Sequence, residues 1–160
     1  MRRLLSTFAC IALLATGCDR GDHPGRVGNV APQFVVSDGT HTADLSKLRG
    51  RIVVLNLWAT WCAPCIEELP SLLEMQRRLP QVTVVAISRD EDPDTYQRFL
   101  AKHHVDLLTV RDPSLKVNTT YGTVQIPETY VIDRQGILRR KFVSAQNWTS
   151  PEILDYLNKL

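Results

Sequence analysis

The sequence predicts an α/β fold with a mixed central sheet flanked by helices, and three observations carry that expectation. Two apolar runs, residues 51–58 and 82–87, are too continuous for strands with one wet face. Between them, residues 63–79 repeat Ile66, Leu69, Leu72, Leu73 and Leu79 at a helical period. Near the C-terminus, residues 129–132 and 137–143 flank Asp133-Arg134-Gln135-Gly136 and read as antiparallel strands. Strand and helix alternate before this hairpin, an order suited to one sheet between layers of helices.

Taken in order, Phe34-Val35-Val36 is a short strand and Asp38-Gly39 a turn, which together give an N-terminal hairpin extension. Residues 44–48 form one helical turn ended by Gly50. Pro70 falls inside the 63–79 helix and should kink it, because proline lacks an N–H and its ring crowds the preceding turn. Residues 94–103 place Tyr96, Phe99 and Leu100 on one helical face. Residues 107–110 make a short strand and 114–121 a short helix. Ser150-Pro151-Glu152 opens a terminal helix, since serine satisfies orphan amides and proline suits the first turn.

The chain has 160 residues, enough for one domain. Arg2 and Arg3 precede a short apolar core, residues 4–14, which is too short to span a bilayer as a helix. Ala15-Thr16-Gly17-Cys18 follows, and small residues before a cysteine resemble the bacterial lipoprotein signal. That resemblance implies a signal peptide over 1–17, lipid on Cys18, a polar tether over 18–27 and a folded domain over 28–160. Asp19 resembles an inner-membrane retention signal, which implies the periplasmic side of the inner membrane. An uncleaved anchor or plain secretion would equally leave the domain outside the cytoplasm.

Loss of residues 1–17 takes two arginines and no acid from a chain of net charge +2, leaving the rest neutral. No basic patch or charge run calls for a nucleic-acid partner. Of four cysteines, Cys10 lies in the signal core and Cys18 is the lipid site, so only Cys62 and Cys65 remain in the domain. A bridge closing so small a loop contributes little loop entropy, so the pair suits exchange better than stapling.

The thiolate is the reactive form of cysteine. Cys62 opens the helix, where unpaired amides and the dipole favour negative charge, and is the expected attacking residue. Cys65, one turn inside, is expected to resolve the mixed disulfide. Pro64 restricts the intervening Ala63-Pro64 pair, and Trp58 and Trp61 supply apolar surroundings. A zinc site would need a second pair of ligands. His41 stands alone, and His103-His104 are adjacent on a helix and point apart, so no metal and no cofactor is expected.

Trp58-Ala59-Thr60-Trp61-Cys62-Ala63-Pro64-Cys65, followed by Pro70, resembles the thioredoxin superfamily, and Ile126-Pro127-Glu128-Thr129 resembles its second signature. The resemblance implies a thioredoxin-like fold and a cis Pro127 that shapes the substrate groove and keeps metal off the thiols. Residues 55–70, with Ala31-Pro32-x-Phe34 and Tyr121-Gly122, are similar to the membrane-anchored TlpA, ResA and DsbE (CcmG) group. That group carries a central insertion, for which residues 90–110 are the candidate. Asn56 stands where thioredoxins place a buried aspartate. Glu68 matches an acidic residue near the thiols and, three residues past Cys65, could handle its proton; the alternative is a solvated helix carboxylate like Glu67.

The resemblance implies a thiol–disulfide oxidoreductase that reduces client protein disulfides, as in cytochrome c maturation or similar metal-site assembly. It implies a membrane-embedded electron donor and a monomer. The absence of histidine between the cysteines leans toward a reductant. The alternatives are an oxidant or isomerase using the same pair, a thiol peroxidase and a non-catalytic lipoprotein platform. The peroxidase reading lacks the threonine expected three places before the reactive cysteine, since Ala59 stands there.

Overall fold

The computed structural model describes residues 26–160; the expected signal peptide over 1–17, Cys18 and the expected tether up to residue 25 lie outside the described residues. The chain begins with a small hairpin, β1 (Val35–Ser37) and β2 (Thr42–Asp44), then a 3-10 turn, Leu45–Leu48. The main sheet follows: β3 (Ile52–Trp58), β4 (Val82–Ser88), β5 (Leu108–Arg111), β6 (Glu128–Ile132) and β7 (Leu138–Val143). Its helices are α1 (Ala63–Arg78), α2 (Pro93–Lys102), α3 (Lys116–Tyr121) and α4 (Pro151–Asn158). Strand order is β5-β4-β3-β6-β7, with β3 parallel to β4, β4 parallel to β5, and β6 antiparallel to both β3 and β7. This is the mixed sheet expected from the sequence.

β3 is buried along its whole length, which explains its unbroken apolar run. Alternation along the strand divides its side chains between two cores. Ile52, Val54 and Trp58 join a core with Leu69, Leu72 and Met75 of α1, Tyr96 of α2 and Ile153 and Leu157 of α4. Val53, Leu55 and Leu57 face the other way, toward Phe34, Val36, Ala43 and Leu45 of the N-terminal segment and Val117 and Tyr121 of α3.

Residues 90–110 are no appendage to this fold. They supply α2 and most of β5, the edge strand of the main sheet. Asp92 caps α2 and Pro93 starts it, one residue earlier than the sequence indicates. Ser150 and Pro151 start α4 as expected. Pro70 lies within α1, which continues past it to Arg78. The β6–β7 turn closes through Asp133, whose carboxylate accepts from the backbone N–H of Gln135 and Ile137 at 2.9 and 2.8 Å. Gly136 takes a φ of 75° there, which a side chain would disfavour.

Candidate active site

The cysteines stand at the junction of β3 and α1. Cys62 is the N-cap of α1, with extended φ and ψ of −89° and 102°, and Ala63 and Pro64 form the first turn. Proline at that position forfeits no helical bond, because the first amides have no partner in the helix. Cys62 Sγ accepts from the Cys65 backbone N–H at 3.3 Å, so a cysteine fills the place where serine or aspartate usually caps. The two sulfurs are joined as a disulfide, with Cα atoms 5.2 Å apart.

Both sulfur-bearing residues are largely covered, Cys62 at 6% exposure and Cys65 at 3%. Ala63 and Pro64 are exposed beside them. Cys62 Sγ lies 3.7 Å from the carbonyl oxygen of Ile126, the residue before Pro127. The Ile126–Pro127 bond is cis, as the resemblance implied. Chain segments 64 residues apart thus converge on the disulfide.

The two tryptophans differ. Trp58 is buried, with its ring centroid 5.4 Å from Phe99 and 6.3 Å from Tyr96. Trp61 is 65% exposed, so it is a surface indole next to Cys62 and does not wall in the sulfurs. The loop between them is pinned from β4. Arg89 N–H donates to the Trp58 carbonyl at 2.9 Å. The buried Asp90 carboxylate accepts from Thr60 N–H at 3.0 Å, Thr60 Oγ1 at 2.6 Å and Ser88 Oγ at 2.5 Å.

Glu68 is 3% exposed, which excludes the solvated carboxylate that was the alternative from sequence. The cause is helical spacing: Cys65, Glu68, Leu69, Leu72 and Met75 form the buried stripe of α1. Strand alternation turns Asn56 to the same face of β3 as Ile52 and Val54. Its amide donates to Glu68 Oε1 at 2.8 Å and to Thr129 Oγ1 at 2.9 Å. Glu68 Oε2 accepts from Gln146 N–H at 3.0 Å and Trp148 Nε1–H at 3.1 Å. Burial pushes the Glu68 carboxyl above its ordinary range, and these three donors only partly offset it. Glu128, on the other face, meets Lys141 Nζ at 3.1 Å; the partners of Glu68 are all neutral.

Sequence reasoning missed Gln146, Trp148, Thr129 and Asp90. Gln146 and Trp148 lie in an irregular segment before α4, where no periodicity reports a neighbour. Among the described residues, no group of acids, cysteines and histidines is arranged to hold a metal ion.

The AhpC/TSA family model matches residues 27–141. The chain is 30% identical to a thiol-disulfide oxidoreductase ResA of Bacillus cereus over 138 residues, 84% of this chain and 79% of that one. It is 31% identical to ResA of Bacillus subtilis (strain 168) over 134 residues, 82% of this chain and 74% of the relative. Among solved structures, it resembles a Chlorobium tepidum protein assigned as the thiol:disulfide interchange protein DsbE, with a TM-score of 0.73 and 28% identity over 83% of this chain and 93% of that one. A secreted thiol-disulfide isomerase from Corynebacterium glutamicum gives 0.69 and 28%, covering 78% and 81%.

Proposed function

Because the chain belongs to the AhpC/TSA family and is a thiol–disulfide oxidoreductase of the ResA and DsbE type, we propose that it reduces protein disulfides outside the cytoplasm. The observation that carries the mechanism is the Cys62–Cys65 disulfide at the start of α1, with Cys62 beside the Ile126 carbonyl. In the reduced enzyme, the Cys62 thiolate attacks one sulfur of a client disulfide. A Cys62–client bond forms, and the other client sulfur leaves as a thiolate. Glu68 takes the proton of Cys65. The Cys65 thiolate then attacks Cys62 Sγ, forming the Cys62–Cys65 bond and releasing the second client thiolate. The client gains two electrons, the cysteine pair loses two, and a membrane-embedded donor restores the thiols.

The Ile126–Pro127 backbone and the exposed Trp61 border the groove where client backbone would dock. The absence of histidine between Cys62 and Cys65 favours the reducing direction. Lipid on Cys18 would hold the enzyme at the membrane as a monomer beside its donor. Among the described residues no helix is long and apolar enough to cross a bilayer. Clients of cytochrome c maturation or a similar metal-site assembly fit a reductant placed where thiols are otherwise oxidised.

Equilibration of the Cys62–Cys65 pair against glutathione tests the direction. A reductant should show a potential near or below about −270 mV, the thioredoxin value, whereas one near about −120 mV would make the protein an oxidant. Cys65→Ser should trap a client on Cys62, visible as a reducible adduct on a gel, and Cys62→Ser should trap none. A phenotype that survives Cys62→Ser would instead identify a binding platform.

A further inference from the structure

We propose that Trp148 is a positioning residue for the redox reaction: its indole N–H holds the Glu68 carboxylate and sets the pH at which the client is released. This rests on the reading of Glu68 as the proton acceptor of Cys65. Trp148 is fully buried, and its ring meets Phe142 at 5.3 Å and 67°. Its backbone N–H donates to Ser71 Oγ at 3.1 Å, and Ser71 Oγ donates to the Glu68 carbonyl at 2.8 Å. The residue is therefore tied through its main chain to the turn of α1 that bears Glu68, while its ring packs on Phe142 of β7.

Phenylalanine would fill much of the same space. What the indole adds is one N–H, aimed at Glu68 Oε2 from 3.1 Å. A donor to the ionised form stabilises it against burial. The other groups bonded to this carboxylate do not titrate: Asn56 from β3, which also bonds Thr129 of β6, and Gln146 from the loop. The titratable neighbours are Cys65, one turn back, and the adjacent Glu67. Glu68 is covered, but it lines a pocket of about 240 Å³ together with Glu67, Ser71, Ala145, Gln146 and Asn147. The proton accepted from Cys65 can leave there while a client covers Cys62.

The test uses reduced protein and a chromogenic aryl disulfide in stopped flow. Cys62 attack releases one aryl thiolate and Cys65 resolution a second, so the two steps separate. For Trp148→Phe, the pH midpoint of the second phase should rise by about one unit, making that phase roughly tenfold slower below the midpoint, with the first phase unmoved. In a Glu68→Gln background, Trp148→Phe should have no such effect. If Glu68→Gln leaves the wild-type profile intact, the proton-acceptor reading falls and this inference with it. If Glu68→Gln abolishes the midpoint but Trp148→Phe does not move it, the role of Glu68 stands and that of Trp148 is overturned. The wild-type protein supplies a check independent of any substitution. The Trp148 Nε1–H resonance should titrate with the kinetic midpoint, and an indole resonance flat across that range overturns the proposal.

Discussion

Glu68 is a carboxylate held by neutral donors inside the core, and that arrangement has a measurable cost. Burial is the largest influence on it and raises its folded pKa above the ordinary 4.5. The folded state therefore keeps this proton to higher pH than the unfolded chain does. The resulting stabilisation is complete below about 4.5 and is lost as pH rises through the folded value. Glu68→Gln cannot ionise, so its stability relative to wild type should improve steadily as pH rises through that window. Urea unfolding of the oxidised proteins between acid and neutral pH measures the trend; a gap that widens against Gln would show that the donors outweigh burial. The spacing from Cys65 to Glu68 was legible in the sequence, as was the helix that carries them. The burial of Glu68 was not, because it is completed by Gln146 and Trp148, which lie 78 and 80 residues away in the chain.

Among the elements, β4 governs the active-site loop although it contributes no reacting group. Its end supplies Ser88, Arg89 and Asp90, which together fix Trp58 and Thr60 just before Cys62. Asp90→Ala would leave a part-buried Thr60 amide and two hydroxyls without their acceptor. A loss of about 2 kcal/mol is expected, and Asp90→Asn, which keeps an acceptor, should lose less; denaturation midpoints of the two variants check the order. The strands themselves could be read from apolar runs and the helices from spacing. Their neighbours could not: residues 90–110 gave a helix and a strand, yet nothing local to them specified the parallel edge beside β4. Register depends on contacts distant in sequence, and the same is true of the convergence of Ile126 on Cys62.

At the scale of the whole molecule, one sheet separates two cores with different duties. The α1 side holds the disulfide and Glu68; the other side is closed by residues 31–45 and α3. Phe34 is 4% exposed there, edge-on to Tyr121 at 6.1 Å. Phe34→Ala should destabilise the fold by about 4 kcal/mol, measured by chemical denaturation, while leaving the potential of the cysteine pair unchanged. The segment before β3 is thus part of the domain's interior. Because successive side chains of β3 face opposite ways, that single strand is a partition that evolution can repaint on one side at a time. Val53, Leu55 and Leu57 can be exchanged for other apolar shapes to suit heat or cold, while Asn56, between two of them, stays answerable only to the chemistry.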